Sequence, residues 1–203
     1  MTDPERYAEE HSTPTGDVFA RLDRETRRCY PNNAEMMIGP LVGAFLAFVV
    51  RLKQPRRVLE IGTFTGWSSI AMAQALPPGA TLVSLDVNEE TTAIARRYAE
   101  AAGVADRVDY RVGPALDLLP AVEGLFDLVF VDAWKSDYLA YVEAVLPRLA
   151  EGGVILCDNT LSGMRDDHPL AEFNRRLRDD PRLETLLLPV RDGVTMIRRR
   201  PPE

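Results

Sequence analysis

From residue 57 onward, short apolar runs alternate with longer segments of helical periodicity. Arg57–Ile61 predicts a strand that ends in a glycine-containing turn. A helix is expected over residues 66–76, stopped by Pro77-Pro78-Gly79. Thr81–Asp86 predicts a second strand, residues 89–102 a helix closed by Gly103, residues 107–112 a third strand and residues 114–122 a short helix. Phe126–Val131 is nearly all apolar, as a parallel strand covered on both faces should be. A helix over residues 136–150 is expected to end at Gly152-Gly153 and to lead into a fifth strand over residues 154–157. A helix over residues 168–178 then precedes two last strands, Leu183–Leu188 and residues 194–198. Their short turn, Arg191-Asp192-Gly193, suits a hairpin, so one antiparallel strand is expected at the end of the sheet.

Before residue 57 the pattern differs. Residues 1–35 are polar and broken by Pro14 and Pro31, with one helix expected over Asp17–Cys29 and an irregular link at Tyr30-Pro31-Asn32-Asn33. Residues 36–53 are mostly apolar and suit a helix, with Pro40 in its first turn. The whole predicts an α/β fold: a doubly wound, seven-stranded, mostly parallel sheet with helices on both faces. Residues 1–35 form a helical cap or substrate lid, and residues 36–203 the main domain. No internal repeat or low-complexity segment interrupts this order.

Composition changes little: 203 residues, 46% hydrophobic and 27% charged, are ordinary for a globular chain. A net charge of −7 argues against a nucleic-acid partner, which would need a basic face. The one dense basic cluster, Arg198-Arg199-Arg200, is expected to be a solvated tail. Cys29 and Cys157 lie far apart and suggest neither a disulfide framework nor a zinc cluster, which fits a cytoplasmic setting. The N-terminal Met1-Thr2-Asp3-Pro4-Glu5 lacks the features of a signal peptide, and the apolar stretch of residues 41–52 is too short to span a bilayer, so no membrane partner is expected.

In sheets of this kind ligands bind beyond the carboxyl ends of the strands. The first strand ends in Glu60-Ile61-Gly62-Thr63-Phe64-Thr65-Gly66. This is not the three-glycine dinucleotide fingerprint, which disfavours a nicotinamide dehydrogenase. The second strand ends in Asp86, where an acid can accept both hydroxyls of a ribose. Glu60 and Asp86 together would repel a pyrophosphate but suit a cationic nucleoside such as S-adenosylmethionine. Asp86 could instead cap a helix or stand on the surface. Gly113-Pro114-Ala115 ends the third strand and could line the adenine.

The fourth strand ends in Asp132-Ala133-Trp134-Lys135 and the fifth in Asp158-Asn159-Thr160. Neighbouring parallel strands would bring Asp132, Asp158 and Asn159 to one crevice. Two carboxylates and an amide oxygen form a hard, oxygen-only set suited to Mg²⁺, Ca²⁺ or Mn²⁺. Zinc would want His or Cys, and neither His11 nor His168 is at a strand end. Helix or loop capping by the same residues is the plainer alternative.

The run 59–68, Leu-Glu-Ile-Gly-Thr-Phe-Thr-Gly-Trp-Ser, with Gly113-Pro114-Ala115-Leu116, Val131-Asp132-Ala133-Trp134-Lys135 and Asp158-Asn159-Thr160-Leu161, resembles the metal-dependent O-methyltransferases. Caffeoyl-CoA and catechol O-methyltransferases are their best-known branches. The resemblance spans about residues 36–198 and implies a Rossmann-like class I methyltransferase. It further implies that Asp132, Asp158 and Asn159 hold the metal. Glu60, Gly62, Thr63, Ser68, Asp86, Ala115 and Asp132 would contact S-adenosylmethionine, with Met36 and Ile38 closing over it and Trp134 stacking near the adenine. Lys135 matches the general base of the catechol branch. Ala133 is caffeoyl-like and Trp134 catechol-like; the second acid of the caffeoyl type, which helps hold the cofactor, is absent.

The expected reaction is methylation of a hydroxyl on a catechol or similar small aromatic, with transfer to an acyl-CoA ester as the alternative and a non-catalytic cofactor-binding protein as the rival class. Arg21, Arg24, Arg27 and Arg28 are available for coenzyme A but read more simply as a solvated helix face. The acceptor pocket is expected to be walled by residues 17–37 and 162–169. The resemblance also implies a homodimer, with the apolar N-terminal helices as the contact.

Overall fold

The computed structural model describes residues 4–201; the start of the N-terminal stretch, Met1 to Asp3, and the last two residues of the 36–203 unit lie outside the described residues. Strands β1 (Arg57–Ile61), β2 (Thr81–Asp86), β3 (Val108–Val112), β4 (Phe126–Val131), β5 (Leu149–Cys157), β6 (Leu183–Leu188) and β7 (Val194–Arg199) form one sheet in the order β3-β2-β1-β4-β5-β7-β6. The pairs from β3 to β5 are parallel. β7 runs antiparallel to both of its neighbours.

The antiparallel strand therefore does not end the sheet, as the hairpin reading expected. It inserts between β5 and β6. β6 is the more apolar strand by sequence, yet β7 takes the inner position because it pairs with β5 as well as β6; there Val194, Thr195 and Ile197 are buried, whereas the edge strand β6 leaves Leu186 and Leu187 exposed.

Side chains on successive strand positions point to opposite faces, and each face carries its own core. Val58, Leu82, Leu128, Phe130 and Leu156 pack with α2 (Asp17–Cys29), α3 (Gly39–Lys53), α4 (Trp67–Ala75) and α5 (Glu89–Ala101). Leu59, Ile61, Val83, Leu85, Val129, Val131 and Ile155 pack with α6 (Ala115–Leu118), α7 (Tyr138–Val145) and α8 (Pro169–Asp179).

The N-terminal part is docked on the first of these faces. α2 buries Val18, Phe19 and Leu22, its Thr26 Oγ1 donates to Thr65 Oγ1 at 3.0 Å, and Glu25 accepts from Arg97 and Tyr98 of α5. A short preceding helix, Pro4–Glu10, was not expected, because it buries no residue and shows no apolar stripe. The apolar segment is longer than residues 41–52: the 20-residue run Ala34–Lys53 is by length and composition enough to cross a membrane. Val42, Leu46 and Val50 on it are nevertheless fully buried against the protein core.

Two further readings change. The expected 136–150 helix ends early. A 3₁₀ turn over Leu146–Arg148, containing Pro147, closes α7, and β5 starts at Leu149. Gly152 and Gly153 thus lie inside β5, at a register shift where Phe126 faces Leu149 but Leu128 faces Val154. The arginines at the end of β7 are no free tail: Arg198 pairs with Glu184, Arg199 donates to the Leu146 and Leu149 carbonyls, and Arg200 to that of Leu183.

Candidate functional site

The parallel ladder continues one residue past each strand and sets the polar residues in a row. Asp132 N donates to Ile61 O at 2.8 Å, Asp158 N to Val131 O at 3.0 Å, and Gly62 N to Leu85 O at 2.9 Å. Gly62, at φ +101°, is needed for this packing. A Cβ there would overlap the Asp132 carbonyl, so the glycine serves strand-to-strand contact as well as any approach by a ligand.

A cavity of about 930 Å³ opens over these strand ends. It is lined by Met36, Ile38, Gly62, Thr63, Ser68, Asp86, Ala115, Asp132, Trp134, Lys135, Asp158 and Asn159, every candidate residue except Glu60. Glu60 lies just behind the wall, fully buried. Its Oε2 accepts from Ser84 Oγ, which is itself bonded to Thr63 Oγ1, and its Oε1 has no hydrogen-bond partner among the described residues. Burial pushes its carboxyl up to about 8, with the Ser68 and Ser84 hydroxyls pulling the other way.

Asp86 is not a helix cap. Asn88 caps α5, accepting from Glu90 N and Thr91 N. Asp86 Oδ2 accepts from Thr63 N and Phe64 N, both at 2.8 Å, and Oδ1 from Asn88 N at 2.9 Å. The carboxylate thus braces the β1–α4 turn. Oδ2 has both of its lone-pair sites taken, while Oδ1 keeps one free.

On the other side, Asp132 and Asp158 cap no helix either. Lys135 Nζ donates to Asp132 Oδ1 at 2.7 Å and to Tyr138 Oη at 2.8 Å. Tyr138, fully buried, reaches the Val131 and Asp158 carbonyls and so fixes the lysine to both strand ends. Asp158 is 1% exposed, and its Oδ1 is buried without a partner. Burial first, and then the Asp132 charge, push its carboxyl up to about 7, against the pull of Asn159 N–H, Lys135 and Arg191.

Two close carboxylates with one orphaned oxygen make a set that a hard divalent cation would satisfy. Among the described residues no three of His, Cys, Asp and Glu gather for a metal, so a third protein ligand would have to be an amide. Asn159 sits next in the chain, in the left-handed conformation at φ +62° that asparagine tolerates.

The cavity also takes in residues outside the candidate set: Tyr30, Asn32, Asn33, Trp67, Tyr141 and Arg191. The 30–33 link belongs to the expected wall over residues 17–37. The other expected wall does not: among the described residues, none of 162–169 lines the cavity. The start of that segment packs on α8 instead, and Asn174 of that helix donates to Thr160 O just before it. Trp134 is 69% exposed at the rim. A second hollow of about 680 Å³ between α7 and α8 is lined by charges that pair among themselves, such as Arg182 with Glu143 and Asp180.

The sequence signature of an O-methyltransferase family matches residues 9–200. Caffeoyl-CoA O-methyltransferase 1 of Eucalyptus globulus is 38% identical over 177 residues, which cover 77% of this chain and 72% of that protein. Caffeoyl-CoA O-methyltransferase 1 of Zea mays is 39% identical over 178 residues, covering 77% and 69%. Among solved structures, the S-adenosylhomocysteine-bound methyltransferase PaMTH1 of Podospora anserina superposes with a TM-score of 0.89 at 34% identity, covering 97% of this chain and 93% of that one. The S-adenosylmethionine-bound O-methyltransferase TomG of Streptomyces achromogenes, involved in tomaymycin synthesis, gives 0.85 at 29% identity, covering 96% and 95%.

Proposed function

This chain belongs to the O-methyltransferase family, and from that premise we propose that it methylates a hydroxyl of a catechol or similar ortho-hydroxylated aromatic, using S-adenosylmethionine and a divalent cation. The observation that carries the metal part is the orphaned, buried Asp158 Oδ1 beside Asp132, in the same cavity as Asn159 and Lys135. Asp132, Asp158 and Asn159 would hold Mg²⁺, or Ca²⁺ or Mn²⁺ in its place. When bound, S-adenosylmethionine supplies an electrophilic methyl group and the cation supplies a Lewis acid that lowers a hydroxyl pKa.

The chain's own residues do the rest. Asp86 receives the ribose hydroxyls at the turn it braces. Glu60 offers its unpartnered Oε1 to a cation at the Gly62–Ser68 wall. Met36 and Ile38 close one side against water, and Trp134 offers a ring face at the rim. Lys135 Nζ, steadied by Tyr138 Oη, holds the proton taken from the acceptor hydroxyl. Fixed walls on both sides of the cavity favour the aligned approach that much of the acceleration rests on.

A second reading, transfer to an acyl-CoA ester, is favoured by the names of the curated relatives. It is also favoured by Arg21, Arg24 and Arg28, which stand exposed along α2, just before the cavity-lining Tyr30, Asn32 and Asn33. Residues 1–35 act as a substrate-facing cap in either reading. Exposed Phe48 and Leu52 on α3 support a homodimer through that helix, and two free cysteines suit a cytoplasmic setting.

The test is methyl-labelled S-adenosylmethionine with Mg²⁺ across catechols, hydroxylated anthranilates and acyl-CoA esters. Label on free catechols, lost with EDTA and restored by Mg²⁺, is expected; full turnover in excess EDTA rules out the metal. Label on the CoA esters alone selects the second reading. Lys135→Ala should lower turnover about 100-fold at neutral pH while S-adenosylhomocysteine still binds. Undiminished turnover removes Lys135 as the base.

A further inference from the structure

Among the described residues, the turn between β6 and β7 reaches the cavity through one residue, Arg191. Its backbone is unusual. Gly193 N donates to Val190 O at 2.9 Å, closing a four-residue turn in which Arg191 holds φ +48°. That left-handed region favours glycine, and a long side chain there is a conformational cost that the fold has to offset.

The guanidinium reaches back more than 150 residues. Nη1 donates to the Met37 carbonyl and Nη2, at 3.2 Å, to the Glu35 carbonyl. Nε lies 3.4 Å from Asp192 Oδ2 and 3.9 Å from Glu5 Oε1. The group is only 18% exposed. Meanwhile the turn's own carbonyls grip the loop after β5: Asp192 O accepts from Leu161 N, and Gly193 O from Thr160 N and Thr160 Oγ1. Gly193 packs so tightly that a Cβ would run into Leu161. One rigid turn therefore holds the loop that begins at Asp158-Asn159 with its backbone, and the 35–38 segment with its arginine.

We propose that Arg191 is a positioning residue for methyl transfer: its fork latches the Met36–Ile38 wall to the Asp158–Thr160 loop, so that the closing segment over the cofactor and the acidic end of the site are set as one unit. This rests on the reading of Met36 and Ile38 as the cofactor's closing wall. A guanidinium fits the task because it presents two N–H groups in a fixed fork to two neighbouring carbonyls; an ammonium is a point charge and cannot hold both in one plane. Arg191 touches neither reacting atom, and its effect should appear in how tightly the cofactor is held.

The experiment uses the full chain and S-adenosylhomocysteine, with calorimetric affinity and thermal unfolding measured for wild type, Arg191→Gly and Arg191→Lys. The glycine relieves the backbone cost, so its unliganded melting temperature should match or exceed wild type, while its affinity falls about fivefold or more. The lysine keeps the charge without the fork and should lose affinity to the same extent. Affinities within fivefold of wild type in either variant overturn the latch. A merely structural arginine would do the reverse, lowering the melting temperature of the glycine variant and leaving ligand affinity alone. Failure of wild type to bind S-adenosylhomocysteine would instead refute the cofactor reading, so the two failures are distinct.

Discussion

The two ends of the sheet treat charge in opposite ways. At the amino end, charged groups are mostly consumed within the chain, Arg57 Nε being a buried exception without a hydrogen-bond partner among the described residues. Asp127 accepts from the backbone N–H of Arg56 and Arg57, at 2.8 and 3.0 Å. Arg57 and Arg148 both lie over the Phe126 ring, at 5.7 and 5.4 Å from its centroid, and Arg199 closes the Leu146 and Leu149 carbonyls. At the carboxyl end, four acids, Glu60, Asp86, Asp132 and Asp158, share one small region, and two of them carry a buried oxygen without a partner. Buried acids left this way cost stability, because desolvation disfavours the charged form and the nearby hydroxyls, the Asn159 N–H, Lys135 and Arg191 offset it only in part. One end is built for folding, and the other keeps binding capacity in reserve for groups of opposite charge.

The largest break of that contrast is at Asp158. In Asp158→Asn, turnover should fall about a thousandfold, the scale of losing a metal ligand that stabilises developing charge. Without ligands, however, the variant should be no less stable, since the substitution removes a buried charge facing Asp132. Millimolar Mg²⁺ should raise the melting temperature of wild type and leave that of the variant unmoved. Lower unliganded stability together with retained turnover would mean that Asp158 belongs to the folding end after all.

Glu60 offers a finer test through pH. Its carboxyl is raised from 4.5 to about 8 by burial, so the folded chain binds a proton that the unfolded chain has released. Stability is therefore unaffected below the unfolded value, falls as pH rises from about 4.5, and levels off above about 8. Between pH 6 and pH 8 Glu60 should account for about 2 kcal/mol of the loss in unliganded wild type, with Asp158, raised to about 7, adding to the same slope. Glu60→Gln, which is neutral throughout, should remove the Glu60 share of this slope in thermal or urea unfolding and leave that of Asp158. Equal slopes in the two proteins would assign the pH dependence to another group.

How much of this could be read beforehand follows from where the determinants lie. The ends of β1, β2 and β4 and the whole of α2 fall at their expected bounds, because each is a continuous apolar or amphipathic run with turn residues beside it. The placement of the strand-end candidates, Gly62, Asp86, Asp132 and Asp158, was legible for the same reason: a residue at or just past the end of a parallel strand is placed by the strand. What was not legible depends on partners far along the chain. Gly152-Gly153 looks like a helix stop and is a strand irregularity, because β4 supplies the pairing that keeps it in the sheet. β7 takes the inner position only through its pairing with β5. Tyr138 shows its role only once its hydroxyl is seen between Lys135 and two carbonyls, although its spacing of three from the lysine was a usable hint. Arg191 gave one signal, an arginine in a turn slot that favours glycine; its contacts at Glu35 and Met37 gave none.

The smallest effect comes from the amino end, where the contrast predicts a loss of stability without a loss of function. Asp127→Ala removes the acceptor of two backbone N–H groups at the entry to β1. Arg56 is exposed and Arg57 half-buried, so water can reach the freed donors in part, and the cost should be about 1–2 kcal/mol rather than the full penalty of buried, orphaned groups. For a chain of this length that lowers the melting temperature by roughly 2–8 °C. Affinity for S-adenosylhomocysteine and turnover below the melting range should stay within about twofold of wild type, because changes at distant sites with no shared partners act independently. A tenfold change in either would mean that strain passes along β1 from Arg57 to Glu60, and the two ends could then no longer be treated as separate.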